Sequence, residues 1–220
     1  MCGIVGLMSL DGSAPPADLI DLMAESIAHR GPDGRGDYRQ GDLAMAQMRL
    51  AIIDLATGDQ PLYEPRGAAL VANGEIYNYV EMRQDMPDVA FATASDCEPP
   101  LHLFRREGLA FLDRLRGMYT IALHDPTEGR LVLARDPFGI KPLYLLRTER
   151  FFAFASEPRA FLAAGLVEPT VAPKARDELL QLQFTTGEQT PFAGITRLRP
   201  GEALVVSQGR VVERRVRQAM

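Results

Sequence analysis

The chain has 220 residues, 46% hydrophobic and 24% charged, with 24 Lys and Arg against 29 Asp and Glu for a net charge of −5. This is the balance of an ordinary soluble globular protein, long enough for one substantial core and read as a single domain over residues 1–220. The absence of a basic run interleaved with aromatics argues against nucleic acid, and the absence of an apolar stretch of bilayer length argues against a membrane.

Ile4 to Ser9 is an apolar run ended by Asp11-Gly12 and reads as a first strand. After Pro15-Pro16, the spacing of Leu19, Leu22, Met23, Ser26 and Ile27 predicts a helix. Gly31 and Pro32 stop it within His29-Arg30-Gly31-Pro32-Asp33-Gly34, either a surface turn or a means of bringing an Arg and backbone amides to a ligand. Leu43 to Asp54 alternates as one or two strands. It carries Arg49 among apolar neighbours, an uncommon place for an arginine that is neither paired nor ligand-facing.

Ala68 to Ala72 is a short strand running into Asn73-Gly74, ordinarily a hairpin turn. The following residues, Ile76 to Met86, are patterned as a helix, so no matched strand returns. A glycine there lets a backbone N–H approach a ligand closely, and Asn73 adds a side-chain amide, together a candidate oxyanion hole. Asp96 is placed to cap a helix opened by Thr93-Ala94-Ser95, with Pro99 and Pro100 near its first turn, or else to meet a ligand's ammonium. Gly117 to His124 and Arg130 to Ala134 form a hairpin, and Arg135 to Tyr144 a rigid loop. Phe151 to Ala155 is a strand, with Ser156-Glu157-Pro158 capping a short helix. Lys174 to Phe184 is helical, and Ile195 to Val216 is a strand meander whose Arg210, Arg214, Arg215 and Arg217 sit on an exposed face. Many short strands with four or five helices give an α+β pattern.

The two cysteines, Cys2 and Cys97, make neither a disulfide framework nor a metal-ligand spacing, and no secretory signal precedes them, which points to the reducing cytoplasm. Cys2 follows the initiator Met1. Were Met1 removed, one residue would carry both a thiol and an α-amine of pKa roughly 7.7–8.0, a nucleophile and its own base. Position alone favours a buried, inert cysteine. Arg49 for a carboxylate, Asp96 for an ammonium, the Asn73-Gly74 donors and the Cys2 thiol together form a set shaped for glutamine.

Eight blocks stand in order: MCGIVG, HRGPDG, RLAIID, GDQPL, NGEIYN, SDCE, RDPFGIKPLY and FASE. With them the chain resembles the class II glutamine amidotransferase domain of glutamine-hydrolysing asparagine synthetases from Cys2 to about Arg215. The resemblance implies an α+β N-terminal-nucleophile hydrolase fold, a four-layer αββα sandwich with two antiparallel sheets. It implies Cys2 as nucleophile with its α-amine as base, Arg49 holding the substrate carboxylate, and Asn73 with the Gly74 amide as oxyanion hole. Glu75 and Asp96 would anchor the substrate amine, and backbone near Leu50 and Ile52 would complete the pocket.

Glutamine is then the substrate, released as glutamate and ammonia through a thioester, with no cofactor for that step. ATP and Mg are expected only at a synthetase domain, whose SGGxDS-like loop this sequence lacks. The chain is accordingly read as a fragment of a longer enzyme or as a subunit feeding ammonia to a partner, and self-association into a homodimer is left open. Two other readings compete: an amidotransferase for glucosamine phosphate or phosphoribosylamine, and a degenerate domain that binds without catalysis.

Overall fold

The computed structural model describes residues 1–217, so the last three positions of the expected 1–220 domain lie outside the described residues. In chain order the elements begin with β1 (Gly3–Ser9), α1 (Ala17–Ser26), β2 (Gly34–Gln40), β3 (Leu43–Arg49) and the two-residue β4 (Leu62–Tyr63). Then come β5 (Ala69–Ile76), α2 (Tyr79–Gln84), α3 (Glu98–Glu107), α4 (Phe111–Arg114), β6 (Gly117–Asp125) and β7 (Arg130–Arg135). The rest are β8 (Tyr144–Arg147), β9 (Phe151–Ala155), α5 (Arg159–Ala163), α6 (Pro173–Leu182), β10 (Ile195–Arg197), β11 (Glu202–Ser207) and β12 (Arg210–Val216). Among the described residues no helix is long and apolar enough to cross a membrane.

The strands form two six-stranded sheets, ordered β10-β8-β9-β1-β3-β2 and β12-β11-β7-β6-β5-β4. Every pairing within them is antiparallel. Ile20, Met23 and Ala24 of α1 and the Ile27 that follows it, with Ala160 and Phe161 of α5, cover the outer face of the first sheet. Leu101 and Leu103 of α3, with Phe111 and Leu112 of α4, cover the outer face of the second. Between the sheets lies a third apolar layer that includes Ile4, Met8, Met45, Val71 and Ala122. The architecture is the expected α+β sandwich of two antiparallel sheets between helices.

The interlayer core positions the site. Strand side chains alternate faces with a period of two. Ile4 and Met8 of β1, Leu43 and Met45 of β3, and Ala69 and Val71 of β5 all point into that layer. Gly6 shares their phase and has no Cβ because one would stand 2.3 Å from the Phe154 ring. Continuing the same phase to one end of the sandwich reaches Cys2, then Gln47 and Arg49, then Asn73 and Glu75, and Thr120 and Met118 on β6. There the columns change from apolar to polar.

Several local expectations are corrected. The buried face of α1 runs through Ile20, Met23 and Ala24, while Leu22 is exposed. β5 does not stop at Ala72 but pairs with β6 through Ile76, so Asn73-Gly74 is strand rather than turn. The glycine is needed for approach, since a Cβ on Gly74 would meet the Met118 carbonyl at 2.2 Å. The helix expected over Ile76–Met86 shrinks to Tyr79–Gln84.

Asp96 caps nothing. α3 starts at Glu98 after Cys97, which brings Pro99 and Pro100 into the first turn, where a missing N–H costs little. Ser156 likewise leaves α5 uncapped, because its Oγ accepts the Ile4 N–H at 2.9 Å. The meander over Ile195–Val216 is divided, with β10 in one sheet and β11 and β12 in the other.

Candidate active site

Cys2 enters the polar end from β1, and three of the sequence blocks hold it there. Arg30 Nε donates to the Cys2 carbonyl at 3.0 Å, and Arg30 Nη1 donates to Glu157 at 2.8 Å, tying the HRGPDG turn and the FASE segment to one backbone position. Gly31 lets this turn lie against the end of β3, since a Cβ there would meet the Met48 carbonyl at 2.3 Å. The Leu50 N–H donates to the Cys2 sulfur at 3.3 Å, and the thiol lies 3.5 Å from the Leu50 carbonyl.

The free side of β5 also lines this polar end. Asp136 N donates to the Tyr119 carbonyl at 2.8 Å, and Tyr119 N donates to Asp136 Oδ2 at 3.3 Å, so Tyr119 turns its hydrogen-bonding groups toward β7. Its partner Gly74 therefore faces its own N–H away from β6, as do Ala72 and Ile76 on the same strand edge. The Ala72 N–H is taken by Gln60 Oε1 at 2.6 Å and the Ile76 N–H by Asp96 Oδ2 at 2.7 Å. Gly74, between them, presents its N–H to the cavity. Beside it Asn73 is buried, and its amide nitrogen has no hydrogen-bond partner among the described residues. Unmade hydrogen bonds of buried donors are rare and costly. Both residues line the cavity that Cys2 borders.

Arg49 supplies positive charge at another wall. Its Nη1 donates to Asp59 at 2.6 Å, and its Nη2 donates to the Asp54 carbonyl at 2.5 Å. Asp59 is itself largely exposed. The cavity is also lined by Glu75 and the buried Asp96. Burial raises the Asp96 carboxyl above its ordinary value, and the neighbouring Glu75 charge adds to the effect. These walls enclose a cavity of about 250 Å³ that Cys2, Arg49, Leu50, Ile52, Asn73, Gly74, Glu75 and Asp96 all line. An anion is suited to the Arg49 side, a cation to the Glu75 and Asp96 side, and an electrophilic carbon with a polarised oxygen to the gap between thiol and amides. Among the described residues no cluster of three His, Cys, Asp or Glu side chains could hold a metal ion.

The structure brings Cys2, Arg49, Leu50, Ile52, Asn73, Gly74, Glu75 and Asp96 to one cavity, while Arg30 of the HRGPDG turn instead holds the Cys2 carbonyl and Glu157. It adds Gln47, Asp59, Gln60, Met118 and the buried Lys141 around the same space. Gln47 was legible as the residue two before Arg49, hence on the same strand face. Lys141 stands in the RDPFGIKPLY block, where only its distance along the chain concealed it. Met1 also borders the cavity and is exposed.

A family model described as a glutamine amidotransferase domain matches residues 1–216. The chain is 37% identical over 169 residues to asparagine synthetase (glutamine-hydrolyzing) 2 of Bacillus subtilis strain 168, covering 74% of this chain and 22% of that protein. Asparagine synthetase (glutamine-hydrolyzing) 1 of the same organism is 34% identical over 212 residues, covering 94% of this chain and 33% of its own length. The chain therefore spans a third or less of these two relatives. Among solved structures, the glutamine phosphoribosylpyrophosphate amidotransferase of B. subtilis, complexed with ADP and GMP, matches with a TM-score of 0.71. That match covers 98% of this chain and 49% of the other at 21% identity, a likeness of fold.

Proposed function

The chain belongs to the glutamine amidotransferase domain family, and on that premise we propose that it hydrolyses L-glutamine to glutamate and ammonia, with Cys2 as nucleophile once Met1 is removed. The observation that carries this reading is the buried Asn73 Nδ2, without a hydrogen-bond partner among the described residues, on a cavity that Cys2 and Gly74 also line.

Glutamine would bind with its α-carboxylate on Arg49, taking the place of Asp59, and its α-ammonium against Glu75 and Asp96. Asp59 gives way because its own carboxylate is largely exposed and keeps its hydration on leaving, while the substrate carboxylate replaces it on the buried Arg49. Leu50 and Ile52 complete the pocket with their backbone. The α-amine of Cys2 accepts the thiol proton, and sulfur bonds to the side-chain amide carbon as the carbonyl electron pair moves to oxygen. Asn73 and Gly74 receive that oxyanion. Return of the electron pair expels the amide nitrogen, which takes the proton from the Cys2 ammonium and leaves as ammonia. Water, deprotonated by the same amine, then opens the γ-glutamyl thioester to glutamate and restores the thiol.

The ammonia serves ATP-dependent amide synthesis, asparagine from aspartate in the favoured case, at a synthetase domain that binds ATP and Mg. The relatives named above are glutamine-hydrolyzing asparagine synthetases, which supports that acceptor. Purified chain incubated with glutamine should release glutamate and ammonia in equal amounts, and Cys2→Ala should release neither while keeping its fold. Mass spectrometry should find Met1 absent from active protein; activity with Met1 in place would overturn the α-amine mechanism.

A further inference from the structure

The loop that follows β3 makes an unusual set of contacts. Asp54 has a left-handed backbone, φ 52°, and its carbonyl oxygen accepts from both Arg49 Nη2 at 2.5 Å and Gly58 N at 3.1 Å. Gly58 is required by this closeness, since a Cβ would stand 2.8 Å from the Asp54 carbonyl and 3.0 Å from Arg49 Nη2. The Asp54 carboxylate points the other way. Its Oδ1 accepts from Thr57 N at 2.9 Å, and its Oδ2 accepts from Thr57 Oγ1 at 2.5 Å and from Ala94 N at 2.8 Å. Thr57 Oγ1 also receives the Ala94 N–H at 3.2 Å.

Ala94 belongs to a rigidly held segment. Glu98 accepts from the N–H groups of Ala92 and Thr93 at 2.7 and 2.8 Å, and Arg83 donates to the carbonyls of Thr93 and Ser95 at 2.9 and 2.8 Å. Two residues after Ala94 comes Asp96. One residue thus touches the guanidinium at the anionic end of the cavity with its backbone. With its side chain it grips the segment that carries the carboxylate at the cationic end. The hydrogen bonds from Ala94 to Asp54 and Thr57 join parts of the chain 40 and 37 residues apart and have no role in closing either sheet.

We propose that Asp54 is a positioning residue, a clasp between the loop after β3 and the segment before α3. It sets the span from Arg49 to Asp96 and thereby recognises an α-amino acid by the separation of its carboxylate and ammonium. The proposal rests on the glutamine reading given above. Its carboxylate touches no reacting atom, so the clasp governs how well the substrate's α-groups are gripped rather than the chemistry at the amide.

The test uses the full chain with Asp54→Asn, which keeps size and tolerates the left-handed backbone while removing charge and one acceptor. Charge-assisted hydrogen bonds are the strong ones, and losing one should raise KM for glutamine about tenfold or more with kcat changed less than about twofold. Alkylation of Cys2 by iodoacetamide, which carries no α-amino acid group, should keep its wild-type rate. Thr57→Val should reproduce the KM effect, and Thr57→Ser, which keeps the hydroxyl, should not. Amide exchange at Ala94 reads the clasp without any glutamine chemistry and should accelerate in Asp54→Asn. Unchanged KM in Asp54→Asn, equal loss in kcat, or unchanged exchange at Ala94 would each overturn the clasp. A wild-type chain without glutaminase activity would overturn the functional reading instead, the exchange measurement then deciding the clasp alone.

Discussion

Replacing Asn73 by alanine separates what this residue does for the fold from what it does for the reaction. Its side chain is buried on β5, and its amide nitrogen makes no hydrogen bond among the described residues. Alanine removes no hydrogen bond of that nitrogen to the rest of the protein, so the fold loses only the few packing contacts of the amide, on the order of 1–2 kcal/mol for a truncation of this size. The melting temperature should therefore fall by no more than about 8 °C for a chain of this length. Activity should move far more. Loss of one oxyanion donor raises the barrier by about 2.7–4 kcal/mol, a roughly 100- to 1000-fold fall in kcat with KM little changed, because the interaction forms only in the transition state. Thermal unfolding followed by circular dichroism, alongside a glutamate-release assay coupled to glutamate dehydrogenase, reads both quantities. A variant that melts more than about 8 °C lower yet keeps kcat within a few-fold of wild type would refute the reasoning, because Asn73 would then be a strut of the fold.

Asp59 offers a converse test. It occupies Arg49 from an exposed position, so Asp59→Asn should free the guanidinium and lower KM for glutamine by a factor of about two to five, and a raised KM would show that Asp59 orients Arg49 instead. His124 gives a pH signature. It is buried against the Tyr38 hydroxyl at 2.8 Å, and burial lowers it from 6.5 to about 4. Between those values the unfolded chain holds a proton that the folded chain does not. Its contribution is therefore complete above about pH 6.5 and lost as pH falls toward 4, by up to about 3 kcal/mol. Denaturant titrations at pH 7 and 5 should show a steeper decline for wild type than for His124→Gln, and parallel declines would contradict the assignment.

The sequence made most strands and the polar residues of the cavity legible, because β1, β3 and β6 are short apolar runs, largely buried on both faces, and Arg49 is chemically out of place in such a run, with Cys2 and Asp96 joining it only as members of a glutamine-shaped set. It misled where a residue type has two uses. Asn73-Gly74 has the composition of a turn, yet the glycine serves the close approach of β6, which only the register of a distant strand reveals. Asp96 has the composition of a cap, but the Ile76 N–H on a strand edge twenty residues earlier takes its carboxylate. The split of the final meander depends on the bend at Leu198 to Gly201, where Leu198 N donates to the Leu143 carbonyl and Gly201 N to that of Asp136. No local pattern records those partners. The clasp at Asp54 and the seat of Asp59 were equally invisible, since both are set by where the loop after β3 comes to rest.

The order of the strands has one more consequence, for what happens when many copies of the chain meet. Two open six-stranded sheets have four borders, each with peptide groups able to recruit a foreign strand. At two of them, β4 and β10, the border strand is only two or three residues long, too brief to seed an extended ladder. The longer borders are β2, reading GRGDYRQ, and β12, reading RVVERRV. An identical strand laid in parallel register along either would set arginine beside arginine, at Arg35 and Arg39 of β2 or at Arg210, Arg214 and Arg215 of β12, with a desolvation and repulsion penalty at each. The Arg-rich run near the C-terminus thus works as a fence. It makes strand-to-strand accretion unfavourable and directs any self-association of this chain toward its helical faces or loops.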